Sequence, residues 1–313
     1  MTQVYSLKGK RVFVAGHRGL VGSALVRRLA REDCEILTTG RDQIDLRRQA
    51  EAVQWMKAAK PQAVFVAAAT VGGILANDSR PAEFLYDNLA IETNLIEASH
   101  RQGVEKLMFL GSSCIYPRLA EQPMREDALL TGPLEPTNQW YAVAKIAGIM
   151  LCRAYRRQYG SNFISAMPTN LYGPGDNFDL QSSHVLPALM VKAHAVKTNS
   201  ANELVVWGSG SPRREFLYVD DLADALVFLM QHYAEEQHIN VGVGEDVTIK
   251  ELALEVARAV GVEAALRFDA SKPDGAPRKL MDSQKLLSMG WRPKTALADG
   301  LRETYSWFLA NKA

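Results

Sequence analysis

Tyr141 and Lys145 form a pair whose types and spacing suit an acid in carbonyl chemistry. Tyr141 is the only tyrosine in the sequence that is followed by a lysine four residues later, and on a helix two residues at this spacing share one face. A lysine ammonium beside a phenol lowers the phenol's pKa from about 10 towards the working pH. Such a phenol can protonate a carbonyl oxygen that receives hydride. A packed surface helix gives the same spacing, so the pair alone leaves both readings open.

Two serines, Ser112 and Ser113, follow Lys106–Leu110, which has the composition of a buried strand. In a parallel α/β sheet the active crevice lies at the carboxyl ends of the strands. A serine hydroxyl at this point would therefore hydrogen-bond a substrate carbonyl beside Tyr141. Paired serines are also common in turns.

Three glycines mark a candidate phosphate-binding turn. Gly16-His-Arg-Gly19-Leu-Val-Gly22 runs from the strand-like segment Arg11–Ala15 into a helical pattern. Glycines at such a turn let the backbone approach a pyrophosphate, which the positive end of the following helix stabilises. Glycines also serve tight turns and close packing, but this position favours dinucleotide binding.

The choice between NAD and NADP depends on the charge after the second strand. NAD binders place a carboxylate there for the ribose 2′-hydroxyl, and NADP binders use arginine. Here the strand is followed by Thr-Gly-Arg41, and the first carboxylate is Asp42. Arg41 and Arg18 are both suited to pair with a 2′-phosphate. We therefore expect NADP, with solvated surface arginines as the alternative.

The elements that must position these residues alternate between β-branched runs and helical patterns, as in a parallel sheet covered by helices. The predicted strands are 11–15, 35–38, 63–67, 106–110 and 162–166, and the predicted helices are 20–31, 47–59, 82–102 and 138–159. Successive right-handed crossovers between them give a doubly wound sheet.

The rhythm changes after Tyr172-Gly-Pro-Gly. The second half predicts helices over 184–196, 220–232, 247–260 and 297–311 and strands over 204–207 and 215–219, with Asp220 as an N-cap. We expect a cofactor domain over 1–172 and mainly a substrate domain over 173–313. The chain would return to the first domain around 215–242.

Composition excludes several classes of protein. The 313 residues carry 36 basic and 35 acidic side chains, so there is no basic field of the kind that nonspecific nucleic-acid binders use. The three cysteines form no CxxC pair, and no histidine has metal-ligand spacing. The start of the chain lacks the apolar segment of a signal peptide, and the apolar run 63–76 is too short to cross a bilayer. These features predict a cytoplasmic protein without a metal site or a membrane partner.

The order of the motifs resembles the extended short-chain dehydrogenase/reductase family. GxxGxxG, a serine after the fourth strand and YxxxK follow one another as in that family. The segments 168–174 and 214–221 are similar to its nucleotide-sugar members, as are GSSCIYP, LEPTN, SSHVLPAL and DASKPDGAPRK. The resemblance implies an α/β fold with a doubly wound parallel Rossmann sheet and a smaller C-terminal α/β substrate domain.

The resemblance also implies an activity, the NADPH-dependent 3,5-epimerisation and 4-reduction of GDP-4-keto-6-deoxymannose to GDP-L-fucose. Ser112, Tyr141 and Lys145 match the reductase triad, and Cys114 and His184 match the epimerisation base and acid. Lys192, Trp207, Arg214 and Asp274 match substrate contacts. At Lys192 the family has arginine, and Trp140 replaces a small residue or proline before the tyrosine. The implied cofactor contacts are Gly16, His17, Arg18, Gly19, Leu20, Val21, Gly22, Arg41, Asp42, Asp45, Leu46, Leu110, Gly111, Ser112, Ser113, Lys145, Pro168, Thr169, Asn170, Leu171 and His184.

This chemistry is consistent with the residue types. A 4-keto group acidifies the protons at C3 and C5, so a thiolate at Cys114 is suited to remove one and His184 to return one. Ser112 and Tyr141 would hold the oxyanion that develops. Cys114 is otherwise a small buried apolar residue, and His184 a polar residue at a helix start.

Two other functions remain open. A related enzyme would act on another GDP-4-keto sugar, of the colitose or deoxy-heptose type, with the same acid and base residues. A catalytically silent NADP-binding regulator would use the same fold. The resemblance further implies a homodimer that pairs the helices 82–102 and 138–159 across a two-fold axis.

Overall fold

The computed structural model describes residues 3–199, 202–272 and 274–312. The strands are β1 (Arg11–Ala15), β2 (Glu35–Leu37), β3 (Ala63–Val66), β4 (Lys106–Leu110), β5 (Phe163–Pro168), β6 (Asn170–Tyr172), β7 (Glu203–Trp207), β8 (Arg213–Arg214), β9 (Phe216–Tyr218), β10 (Ile239–Val241), β11 (Val247–Thr248), β12 (Ala265–Asp269) and β13 (Arg278–Lys279). The helices are α1 (Leu20–Leu29), α2 (Gln49–Ala59), α3 (Ile74–Ser79), α4 (Pro81–Arg101), α5 (Gln139–Tyr159), α6 (Val185–Asn199), α7 (Val219–His232), α8 (Ile249–Val260), α9 (Gln284–Ser288) and α10 (Leu297–Asn311).

Six parallel strands form the main sheet, in the order β10-β5-β4-β3-β1-β2. The chain leaves β1 for β2 on one side and then crosses to β3 on the other side. The crevice at such a reversal is where ligands bind in open α/β sheets. The sheet therefore places its ligand crevice beside the carboxyl ends of β1 and β3.

Both faces of this sheet are buried, as parallel sheets require. In β1, Val12 and Val14 pack on the side that α1 and α7 cover, whereas Phe13 and Ala15 pack on the side of α2, α4 and α5. Helices on both faces of a parallel sheet confirm the predicted doubly wound α/β fold.

A separate apolar cluster lies in the second half of the chain. Leu204 and Val206 of β7, which pairs in parallel with β12, pack among α6, α8 and α10. The helix α8 begins at a capping box, in which the Thr248 hydroxyl accepts from the Glu251 amide and the Glu251 carboxylate accepts from the Thr248 amide. This cluster holds one wall of the site described below.

The predicted elements agree with the structure to within a few residues, with one wrong detail. Asp220 does not cap a helix, because α7 begins at Val219, directly where β9 ends, and Tyr218 occupies the N-cap position. Asp220 instead pairs with Arg27 of α1 at 2.5 Å. Most of the elements that were not predicted are too short to show a clear period; they are β6, β8, β10, β11, β12, β13, α3 and α9.

Candidate active site

A large cavity opens at the carboxyl ends of β1, β3, β4 and β5. Its volume is about 820 Å³, and its walls come from the strand ends on one side and from α6, β7, Lys272 and residues 274–279 on the other. This volume is at the upper end of the range of about 300–1,000 Å³ that is typical of ligand pockets. The predicted catalytic residues Ser112, Cys114, Tyr141, Lys145 and His184 all line it.

The glycine turn forms one end of the cavity. Gly16 has a φ of +85°, and a Cβ at this position would lie 2.7 Å from the Ala68 backbone after β3. A Cβ at Gly22 would lie 2.1 Å from the Gly16 carbonyl oxygen, so Gly22 packs behind the turn and does not line the cavity. The α1 helix starts at Gly19 without a side-chain cap, and the buried His17 Nδ1 has no hydrogen-bond partner. These unpaired donors fit the pyrophosphate of a dinucleotide.

Arg18 and Arg41 lie at the outer end of this turn. Arg18 pairs with Asp42 at 3.0 Å, and both side chains are mostly exposed. A backbone amide and the Arg18 guanidinium hold the pKa of Asp42 below its usual value. Arg41 lines the cavity and Asp42 does not. The two arginines therefore fit a 2′-phosphate, as predicted, but Arg18 has a competing carboxylate.

Ser112 and Tyr141 meet at the end of β4. The Ser112 hydroxyl accepts a hydrogen bond from the Cys114 amide at 3.3 Å and lies close enough to the Tyr141 phenol to lower its pKa. Burial raises the pKa of Tyr141, the charges of Cys114 and Glu92 raise it further, and Ser112 opposes them. This direction is opposite to the predicted lowering by Lys145.

Lys145 is buried one turn along α5 from Tyr141. Its Nζ lies 5.8 Å from the centre of the Tyr141 ring and 4.8 Å from that of Phe109. The Glu92 carboxylate of α4 lies 3.8 Å away. Burial lowers the pKa of Lys145, and Glu92 opposes this effect.

Cys114 follows β4 in a short 3₁₀ turn and is half-buried. The Asn138 side-chain amide donates to its sulfur at 3.2 Å, and the Lys279 Nζ of β13 lies 3.8 Å from the same atom. A hydrogen bond and a positive charge both stabilise a thiolate. Cys114 thus has a hydrogen-bond donor and a cation beside its sulfur.

His184 stands directly before α6 and faces the cavity. Its side chain is accessible from the cavity and surrounded by protein on its other sides. This enclosure lowers the pKa of His184, and the positive charge of Lys279 lowers it further. Lys279 therefore lies near both members of the predicted epimerisation pair.

The far wall carries cations stacked on an aromatic ring. The Lys192 Nζ lies 4.6 Å from the centre of the Trp207 ring and donates to the Val205 carbonyl at 3.2 Å. Lys272 lies over the same ring at 5.2 Å. Two ammonium groups beside a half-exposed indole suit a nucleoside diphosphate, with phosphates on the cations and a base near the ring.

Arg214 and Asp274 complete this wall. The Arg214 guanidinium donates to the carbonyl of Arg213 at 2.8 Å and to that of Asp274 at 3.4 Å. The Asp274 carboxylate accepts from the Ser209 amide and hydroxyl at 2.7 and 2.8 Å. Arg214 is thereby aimed at the cavity, and burial lowers its pKa.

All predicted site residues line this cavity except Gly22 and Asp42. Sequence reasoning assigned no role to Asn138, Lys279 and Glu92, whose contacts with Cys114 and Lys145 appear only in the fold. Asn138 and Lys279 do fall within two quoted motifs, LEPTN and DASKPDGAPRK, which was the available signal. Among residues 3–199, 202–272 and 274–312, no cluster of histidine, cysteine and carboxylate suits a metal ion. No helix in that same part of the chain is long and apolar enough to span a membrane.

Comparison with known proteins places the chain among nucleotide-sugar enzymes. A model of the NAD dependent epimerase/dehydratase family matches residues 12–242. A GDP-L-fucose synthase of Sinorhizobium fredii is 61% identical over 310 residues, which cover 99% of each chain. GDP-L-fucose synthase 1 of Arabidopsis thaliana is 57% identical, over 97% of this chain and 94% of its own.

A solved structure that contains bound NADP has the same fold as this chain. The GDP-L-fucose synthetase of Naegleria fowleri bound to NADP superposes with a TM-score of 0.89 at 31% identity, over 99% of this chain and 97% of that one.

Proposed function

Because the chain belongs to the NAD dependent epimerase/dehydratase family, we propose that it converts GDP-4-keto-6-deoxymannose to GDP-L-fucose. It is an NADP-dependent epimerase and reductase, as the resemblance to the extended short-chain dehydrogenase/reductase family implied. The finer proposal concerns the substrate and the residues that carry each step.

One observation carries the proposal. Ser112 and Tyr141, which suit a reductase, and Cys114 and His184, which suit an epimerase, line the same cavity. A plain reductase has no use for a cysteine whose sulfur faces Lys279 and Asn138. The pairing of both sets around one space supports epimerisation and reduction of one bound sugar.

Epimerisation requires a base, an acid and a site for the oxyanion. The Cys114 thiolate removes the proton at C3 or C5, which the 4-keto group acidifies, and negative charge develops on O4. Ser112 and Tyr141 hold that charge by hydrogen bonds. His184, which receives the thiol proton when the thiolate forms, returns a proton on the opposite face of the carbon.

Reduction uses the same oxyanion site. The residues of the glycine turn and Arg18 and Arg41 hold NADPH, which when bound supplies a hydride to C4. Tyr141 then gives its phenol proton to O4, and Lys145 stabilises the phenolate that remains. Lys192, Trp207, Arg214 and Asp274 hold the GDP portion of the sugar nucleotide away from the reacting carbons.

Two structural proposals accompany this function. We infer a division near residue 172, supported by the separate apolar cluster of the second half and by β10, which rejoins the main sheet beside β5. We also propose a homodimer through α4 and α5, supported by exposed apolar side chains on both helices, such as Tyr86, Val143 and Met150.

The test combines turnover with proton exchange. The protein is mixed with GDP-4-keto-6-deoxymannose and NADPH, NADPH oxidation is followed by absorbance, and the product is identified by NMR. In D₂O, deuterium at C3 and C5 of the product reports the two epimerisations. We expect GDP-L-fucose labelled at both carbons.

Cys114→Ser separates the two activities, and Cys34→Ser is the matched control because Cys34 is also a half-buried free cysteine, but outside the cavity. Cys114→Ser should abolish deuterium exchange and leave NADPH affinity unchanged. Reduction without exchange in the native protein would show a plain 4-reductase. Turnover only with a colitose-type or heptose-type GDP-keto sugar would identify the related enzyme, and NADPH binding without any turnover would indicate the silent regulator.

A further inference from the structure

Glu92 is a buried carboxylate inside α4 that the mechanism above does not use. Only 1% of its side chain is exposed, and neither carboxylate oxygen has a hydrogen-bond partner of good geometry among the described residues. Burying a carboxylate without hydrogen bonds is costly. Its position therefore needs a reason other than the stability of the helix.

The nearest cation to Glu92 is the ammonium of Lys145, at 3.8 Å. Lys145 is itself almost fully buried, and no other acidic side chain in the described ranges lies within ion-pair distance of it. Phe109 and Tyr141 present aromatic rings to its Nζ. Without Glu92, Lys145 would be a lysine in a mostly apolar pocket, and such lysines lose their proton.

The other groups that face this pair are few. Tyr141 and Cys152, both on α5, feel the charge of Glu92, and Cys114 acts on Tyr141 from the turn after β4. The amide of Gly148, also on α5, faces the carboxylate. Burial raises the pKa of Glu92 to about 7, opposed first by Lys145 and then by that amide. Lys145 thus supplies the positive side-chain charge that acts on Glu92.

We propose that Glu92 is a positioning residue that keeps Lys145 protonated and fixed beside Tyr141 during reduction. The inference rests on the proposed function in one respect, that Lys145 supports the phenolate of Tyr141. Glu92 touches neither sugar nor cofactor in this role. It acts through Lys145, across the contact between α4 and α5.

Glu92→Gln tests the proposal because glutamine keeps the shape and removes the charge. Burial then lowers the pKa of Lys145 without opposition, so the lysine loses its proton at lower pH. The alkaline limb of the pH profile of kcat should move down by about one unit, which is an about tenfold loss of kcat at a pH on that limb. The KM for the sugar nucleotide should change less than twofold.

Glu97→Gln is the matched control. Glu97 is another glutamate of α4, and it also contacts α5, because it accepts from the Tyr155 hydroxyl. Unlike Lys145, the partner of Glu92, it lies outside the cavity. Its pH profile should coincide with that of the native protein. Glu92→Asp, which keeps the charge at a longer distance, should show only a small part of the shift seen in Glu92→Gln.

A second measurement is independent of the sugar. NADPH binding is followed by the fluorescence of NADPH from pH 6 to 10. As the pH rises, the affinity should begin to fall at a lower pH in Glu92→Gln than in Glu97→Gln. If the native protein fails to reduce GDP-4-keto-6-deoxymannose, the proposed function is wrong, and this titration still decides the role of Glu92. If kcat of Glu92→Gln is lower at every pH but its pH profile is not shifted, Glu92 has only a packing role and the proposal is wrong. If Glu92→Gln does not fold, Glu92→Met, which also removes the charge at a similar volume, takes its place, and an unshifted pH profile of that variant overturns the proposal.

Discussion

The Nζ of Lys279 lies 3.8 Å from the sulfur of Cys114, although 165 residues separate them in the chain. Lys279 belongs to β13, which pairs with β8 next to Arg214, and Cys114 follows β4 of the main sheet. The second half of the chain therefore places a positive charge beside a thiol of the first half. Neither half alone contains the complete site that we propose for proton abstraction.

This contact predicts a ranking of the three free cysteines. Burial and nearby acidic side chains raise the pKa of the Cys34 thiol, and burial raises that of Cys152 to about 12. Cys114 faces an ammonium and an amide donor instead, so we expect iodoacetamide to alkylate it at least tenfold faster than the other two. Peptide mass spectrometry against time at pH 7.5 measures the three rates.

Lys279→Met then tests the cause. The substitution should slow alkylation of Cys114 about tenfold, and it should raise the pKa of His184, because Lys279 now lowers it. Lys57→Met, on the exposed side of α2, should change neither. Equal rates for Cys114 in the two variants would show that other neighbours, such as Asn138 and Arg214, govern its reactivity.

Lys192 predicts how the GDP portion is held. The ammonium stacks on Trp207 and faces the cavity, so Lys192→Met should raise the KM for the sugar nucleotide about tenfold, or about 1.4 kcal/mol, with kcat nearly unchanged. Lys192→Arg should lower KM a few-fold, since a guanidinium pairs bidentately with a diphosphate.

Lys197→Met provides the control for this prediction. Lys197 lies on the same helix α6, donates to the Val260 carbonyl and stacks on Tyr305 at 5.6 Å, but it does not line the cavity. Its KM should equal that of the native protein. A similar rise in KM for both variants would point to a general loss of α6 packing rather than a diphosphate contact.

Arg18 and Asp42 predict a change in cofactor preference. Their ion pair is exposed and therefore weakened by solvent screening, so a 2′-phosphate displaces Asp42 easily. Arg18→Gln should weaken NADPH binding about tenfold, and Asp42→Asn should strengthen it a few-fold by freeing Arg18 and removing a repulsive charge. Fluorescence titrations with NADH, which lacks the 2′-phosphate, should change little in either variant. Parallel changes for both cofactors would place Arg18 on the pyrophosphate.

The parts of the site that the sequence predicted are those formed by local spacing. The glycine turn and the Tyr141–Lys145 pair each lie within about one or two helical turns. The spacing within one short segment therefore defines their geometry. Ser112 was found because a buried strand ends just before it. The resemblance to a family supplied the roles of Cys114 and His184, which no local pattern assigns.

The rest depends on contacts between distant segments. Glu92 looks like one polar position on a helix with apolar and polar sides, and only the packing of α4 on α5 buries it against Lys145. The strand β10 has three residues, too few for a periodic signal, yet it extends the main sheet beside β5. The direction of the Tyr141 pKa was wrong because sequence spacing shows the lysine and not the burial.

Asp176 predicts a pH dependence of stability. This side chain lines the cavity, is nearly buried, accepts from the Asn177 amide at 2.7 Å through one oxygen, and has no partner for the other. Burial raises its pKa to about 7 from an ordinary value of 3.8. Between those two pH values the folded chain binds more protons than the unfolded chain at this residue, so the free energy of unfolding falls as the pH rises.

Asp176→Asn removes this titration. Relative to the native protein, the variant should gain free energy of unfolding between pH 4 and pH 7, by at most about 4 kcal/mol, as measured by urea unfolding at both pH values. Asp179→Asn, in the same loop, should show almost no such difference between pH 4 and pH 7, because amide and hydroxyl donors lower the pKa of Asp179 from its ordinary value of 3.8 and its titration therefore lies below this range. If the stability difference between Asp176→Asn and the native protein is the same at pH 4 and pH 7, Asp176 ionises normally and a water or ligand must satisfy its second oxygen.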